Sequence, residues 1–175
     1  MNAPPADKAT SGRANAAGIR CLYLASDERT TVYEVRAGAF DSISIGRFRL
    51  KQDISVVDLR AIAKLCPVGV EMDYLEYAVN KEHLQKINME MARGMRRGDN
   101  SIDYVATQYI CDFVKSLEYL DESSCLKKAY HGIVYNSTMN HDGYNLAVFD
   151  PDLFECKSVK RIAVEGLDYR THPSL

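Results

Sequence analysis

Residues 132–149 constrain the fold of this chain more than any other stretch. Ile133, Tyr135 and Ser137 alternate with Val134 and Asn136, the period of two that turns successive strand side chains to opposite faces. Residues 140–143 are turn material, and residues 144–149 return as a second strand that Asp150 and Pro151 terminate. The pair reads as an antiparallel hairpin. Strands also precede a mostly helical middle, an order that favours an α+β architecture over a doubly wound parallel sheet. At 175 residues the chain suffices for one core that buries about 70% of its unfolded surface. The expectation is a single α+β domain with a mixed, mostly antiparallel sheet and helices.

The other elements follow from pattern and punctuation. Leu22 and Leu24 alternate with Tyr23 and Ala25 as a strand, and Ser26 or Asp27 can cap the helix that carries Thr30 to Glu34. Residues 1–17 lack periodicity and read as an arm whose first ten residues are poorly ordered. Phe40, Ser42, Ser44 and Gly46 alternate with Ile43, Ile45 and Arg47 in one strand, and residues 48–50 form a second. Residues 53–59 are a short strand or the approach to a helix, which continues from Leu59 and stops at Pro67. Residues 71–95 are the longest helical region, with a break near Asn80 and Met91 and Met95 as core packing. Asp99 or Ser101 caps the next helix, where Val105, Tyr109, Phe113 and Leu117 share a stripe with Ala106, Ile110 and Val114. Residues 121–128 are a polar link, and residues 156–165 alternate as a last strand.

Composition narrows the function classes. The formal net charge is -2 with both signs interspersed and no long Lys/Arg run, which argues against binding nucleic acid through its phosphates. The five cysteines are widely spaced and form no CxxC, and the four histidines form no HxH or HxxxH, so neither a disulfide framework nor a metal site is expected. No apolar run is long enough for a transmembrane helix and no signal core opens the chain; a reduced cytoplasm is the expected location, away from membranes. The glycines fall into neither GxGxxG nor GxxxxGK, so a nucleotide would have to be held without a Rossmann or P-loop turn.

Three blocks taken together, GRANAAGIRCLYLASDERTTVYEVR, IDYVATQYICDFV and HGIVYNSTMNHDGYNLAVF, resemble the RES domain, a family named for an Arg, a Glu and a Ser. By order and spacing the resemblance assigns the family's Arg, Tyr and Glu to Arg13, Tyr23 and Glu34, its Ser to Ser137 and a downstream Asn to Asn145. Residues 1–12 are then an N-terminal arm and 13–170 the catalytic domain. The family also includes longer chains, and with twelve residues before Arg13 this one fits a catalytic piece of such a protein as well as a free-standing toxin. The resemblance implies a bacterial toxin of a toxin–antitoxin pair, similar in fold to the ADP-ribosyltransferases. Its substrate would be NAD, degraded by a glycohydrolase or phosphorylase reaction. No cofactor is implied; phosphate is a candidate co-substrate and a proteinaceous antitoxin a candidate partner.

These residue types suit that chemistry. The pyridinium of NAD is already a good leaving group, and the barrier lies in forming an oxocarbenium-like ribose. Glu34 can bond a ribose hydroxyl and place negative charge beside the developing cation. Arg13 can grip the pyrophosphate through its planar fork. Tyr23 can stack on nicotinamide or orient the ribose, and Ser137 can position a hydroxyl or the Glu34 carboxylate. A serine nucleophile is disfavoured because there is no GxSxG elbow and no histidine placed as its base. On residue type alone, Ser137 is an ordinary strand-end hydroxyl and Arg13 a solvated arm charge. Two alternatives stand beside NAD degradation: transfer of ADP-ribose to a protein acceptor, and a non-catalytic NAD-binding or interaction module.

Overall fold

A computed structural model describes residues 1–64, 73–93 and 101–167. Its centre is a four-stranded sheet of β1 (Leu22–Ala25), β7 (Tyr144–Val148), β6 (Gly132–Asn136) and β3 (Val56–Asp58), in the order β1-β7-β6-β3. The β1–β7 and β7–β6 pairs are antiparallel and β6–β3 is parallel. A second, two-stranded sheet pairs β2 (Ser42–Leu50) with β8 (Phe154–Ala163), and β4 (Glu118–Leu120) pairs with β5 (Leu126–Lys128) in a small hairpin. The helices are α1 (Glu28–Glu34), α2 (Tyr74–Met91) and α3 (Val105–Ser116). The α+β expectation and the Gly132 hairpin both hold. Among the described residues no helix is long and apolar enough to cross a membrane.

Both faces of the central sheet contribute to packed clusters, and strand alternation sorts its residues between them. Register places Tyr135 opposite Asn145, and Ile133 and Tyr23 opposite Ala147, so these five share one face. That face meets Met91 of α2 and Cys111 and Val114 of α3 in the larger core cluster. The intervening residues Leu22, Leu24, Leu146 and Val148 turn the other way and pack on Ala3, Leu153, Phe48 and Phe154, which bring the second sheet against the first.

Several local expectations need correction. Residues 42–50 are one strand: a bulge between Arg47 and Phe48 shifts the register and breaks the alternation without ending the pairing. Phe40 lies outside it, at φ 68° and 87% exposed. The segment after Asp58 is a 3-10 turn, Leu59–Lys64. α2 runs unbroken through Asn80; an asparagine is only a weak helix former and does not remove the backbone donor as proline would. α3 follows a 3-10 turn at Ser101–Tyr104 and has no side-chain cap. Its buried residues are Thr107, Cys111 and Val114, while Val105, Tyr109 and Phe113 are exposed. The polar link holds the turn and second strand of the β4–β5 hairpin, where Asp121 Oδ1 accepts from the Ser123 and Cys125 amides. Residues 1–17 are not a loose arm, for Ala3, Ala9, Ala14 and Asn15 are buried. The expected stop at Pro67, the start at Glu71, the partner Met95 and the cap at Asp99 lie outside the described residues.

Candidate active site

Helix α1 starts where Asp27 caps it. Asp27 Oδ1 accepts from the Thr30 amide at 2.8 Å, and Oδ2 accepts from the hydroxyls of Ser26 and Thr30 at 2.6 and 2.7 Å. The Ser26 hydroxyl first, then the amide and hydroxyl of Thr30, hold the Asp27 carboxyl down at about 2. The far end of α1 closes by the Ala37 amide donating to Val32 O at 3.4 Å and the Arg36 amide to Tyr33 O at 3.0 Å, the paired bonds of a Schellman motif. Arg36 occupies the left-handed position, φ 51°, which glycine usually fills. So a helix of seven residues is pinned at both ends, and Glu34 is its last residue.

Glu34 projects toward the β6–β7 hairpin. Its Oε1 accepts two hydrogen bonds, from Ser137 Oγ at 2.7 Å and from Asn145 Nδ2 at 2.8 Å; Oε2 accepts none among the described residues. The Ser137 hydroxyl is itself oriented, because the amides of Met139 and Asn140 donate to Oγ at 3.2 and 3.1 Å. With its lone pairs taken by those amides, its single proton goes to Glu34. Asn140 Nδ2 ties the same turn to Thr30 Oγ1 at 2.8 Å. A Cβ at Gly143 would overlap that Thr30 oxygen, so only glycine lets the turn approach α1 this closely.

A cavity of about 1260 Å³ opens beside Glu34. Arg13, Tyr23, Glu34 and Asn145 line it, whereas Ser137, 4% exposed, stands behind Glu34 and touches the cavity only through it. The opposite wall comes from the second sheet and includes Arg47, Ser158 and Lys160; Lys160 pairs with Glu28. The five residues expected to form a site are thus brought together, with Ser137 acting at one remove.

Tyr23 and Arg13 are held more tightly than their sequence positions suggest. The Tyr23 hydroxyl donates to Asn15 Oδ1 at 2.7 Å and accepts from the Ala14 amide at 2.8 Å, and a Cβ at Gly12 would sit 2.7 Å from that hydroxyl. Burial of this end, and then the neighbouring Cys21, pushes the phenol well above its ordinary value, although the residue as a whole is 43% exposed. What Tyr23 presents to the cavity is its ring. Arg13 donates to Met91 O and, at 2.6 Å, to Arg93 O, capping carbonyls at the end of α2 that have no partner within the helix. Its guanidinium lies 5.8 Å from the Tyr135 ring centroid.

Residues 1–171 of the 175 match the RES domain. The chain belongs to the RES domain family. No curated protein and no solved structure matches it. RES membership is consistent with a toxin-like function directed at NAD and with an antitoxin as partner. Within the RES domain, three residues not singled out by sequence bear on the candidate site: Tyr135 lines the cavity, while Asn15 and Gln108 support Tyr23 and the arm from behind. Gln108 Nε2 reaches Ser11 Oγ, Gly12 O and Asn15 O at 2.8, 2.8 and 2.9 Å, fastening the arm on which Arg13 sits. Only Tyr135 carried a legible signal: two residues before Ser137, it shares that residue's face of the strand.

Proposed function

We propose that this RES domain cleaves the bond between nicotinamide and ribose in NAD, passing the ADP-ribosyl group to water or to phosphate. The observation that carries the reading is the Glu34 carboxylate at the wall of a large cavity, one oxygen clamped by Ser137 and Asn145 and the other without a hydrogen bond among the described residues. The cavity exceeds the roughly 300–1,000 Å³ that suits a drug-sized ligand, which fits an extended dinucleotide. A likeness to the ADP-ribosyltransferase fold belongs to the same reading.

In the reaction, the bond from ribose C1′ to the pyridinium nitrogen breaks and its electron pair stays on nitrogen, leaving neutral nicotinamide. An oxygen of water or phosphate bonds to C1′ in its place, and in hydrolysis the surplus proton passes to solvent. Glu34 stabilises the cationic ribose of the transition state through charge fixed in advance, so little reorganisation is needed. Tyr23 offers a ring for nicotinamide to stack on. Arg13, with two of its five N–H donors committed to Met91 O and Arg93 O, contributes a fixed positive charge for the pyrophosphate.

The test is nicotinamide release from NAD by purified protein, with and without phosphate, beside Glu34→Gln. Release that requires Glu34, falling by roughly a hundredfold or more in the variant, is the expected result; phosphate dependence separates the two acceptors. Intact NAD in the presence of folded, antitoxin-free protein sinks the proposal, and label moving from NAD onto a protein redirects it to ADP-ribosyl transfer.

A further inference from the structure

We propose that Tyr135 is a substrate-binding residue of this cavity, its hydroxyl donating a hydrogen bond to an oxygen of the ribose–phosphate part of the dinucleotide. The inference rests on the NAD reading and adds a contact to it. Tyr135 sits in the middle of β6 directly across from Asn145 and lines the cavity. It is 5% exposed, yet its hydroxyl makes no hydrogen bond among the described residues.

A buried tyrosine hydroxyl normally finds a partner, as the comparison with Tyr23 on the same face shows. There the arm satisfies both the donor and the acceptor capacity of the phenol. Tyr135 has a fully packed ring and an unused polar end. Nor is that end sealed in the core, for the one fully buried side-chain polar atom without a partner among the described residues is Asn88 Oδ1. The hydroxyl therefore keeps access to the open space that the residue lines.

Its neighbours define what it meets there. Arg13 lies over its ring, and the charges of both Arg13 and Glu34 are felt at the phenol. A ligand reaching from the cation to the carboxylate passes Tyr135 with the oxygens that join phosphate to ribose. Burial outweighs the opposing influence of Arg13 and, with Glu34, pushes the phenol above its ordinary value, so at neutral pH it is a donor.

Tyr135→Phe isolates the hydroxyl, because phenylalanine keeps both the core packing and the aromatic face under Arg13. NAD affinity is measured by calorimetry in a Glu34→Gln background, where turnover does not interfere, and nicotinamide release is followed in the otherwise unchanged protein. The expected result is an unaltered melting midpoint with Kd and KM for NAD raised roughly tenfold, the effect of one polar hydrogen bond. Equal Kd values with and without the hydroxyl, in a protein that binds NAD, overturn this contact and leave the NAD reading standing. A lowered melting midpoint with unchanged affinity also overturns it, by showing that the hydroxyl serves the fold. If the parent protein neither binds nor cleaves NAD, the NAD reading fails and this contact falls with it.

Discussion

Glu34 owes its orientation to two side chains that converge on the same oxygen, which makes Ser137 and Asn145 interdependent. Ser137→Ala removes a donor that does not touch the cavity; Asn145→Ala removes one that does. Each is expected to lower the rate of nicotinamide release on the order of tenfold to a hundredfold, since a small misplacement of a reacting group costs about that much. The double variant should lose much less than the product, because either loss frees the same carboxylate. Steady-state rates of the four proteins check this, and strict multiplicativity would mean that the two side chains do not act through one group. At this scale the sequence was partly legible. Glu34, Ser137 and Asn145 were reachable from their motif blocks, and the alternation of residues 133–137 already put Tyr135 and Ser137 on one face. The fate of Arg13 was not, because its partners are backbone carbonyls nearly eighty residues away, and a carbonyl leaves no trace in the residue type that carries it.

At the scale of elements, α1 and the N-terminal arm decide whether those side chains meet. The ionised Asp27 caps α1, and its carboxyl is held at about 2 against an ordinary 3.8. A depressed carboxylate contributes stability in full above the unfolded value, and that contribution is lost as pH falls through the folded one. Asp27→Asn should accordingly narrow the gap in melting midpoint between wild type and variant as pH is lowered from 5 to about 2, as followed by circular dichroism. An unchanged gap would mean that the charge plays no part in the cap. In the arm, Asn15 is 4% exposed and donates to Thr10 O, Ala16 O and Ile19 O at 2.9 Å each while accepting from Tyr23. Asn15→Ala strands those groups and is expected to cost about 1–3 kcal/mol in chemical denaturation. Neither feature is written in periodicity. The arm's polar, alanine-rich composition looks disordered because its order comes from hydrogen bonds to Gln108 and Tyr23. In α3, apolar residues occupy more than one face, so the stripe of Val105, Tyr109 and Phe113 competed with that of Thr107, Cys111 and Val114; the packing of the sheet, not the helix itself, chose the second. Thr107 can be buried because its hydroxyl donates to Tyr104 O at 3.0 Å.

Across the whole molecule, β7 divides its side chains between two purposes. Asn145 and Ala147 share the face that carries Tyr23 and Tyr135, and Leu146 and Val148 hold the second sheet against the first. Strand existence and the antiparallel hairpin were legible from alternation and turn residues. Residues 53–59 already allowed a short strand, and β3 is one, of three residues; its parallel pairing with β6 and the β2 bulge were not legible, since short pairings are set by what lies beside them. The turn at residues 138–143 unites these scales. Its amides orient Ser137, its Asn140 holds Thr30, and its glycine permits the contact with α1. Surface turns ordinarily tolerate gains and losses of single residues, and the Asp121–Cys125 turn of the β4–β5 hairpin, with Glu122 to Cys125 exposed, is such a turn. The 138–143 turn should break it. Removing or adding one residue there is expected to abolish nicotinamide release in a chain that still folds, whereas the same change between Asp121 and Cys125 leaves release intact. The length of this loop is thus a dimension of the candidate site, setting how near α1 and the β6–β7 hairpin come to one another.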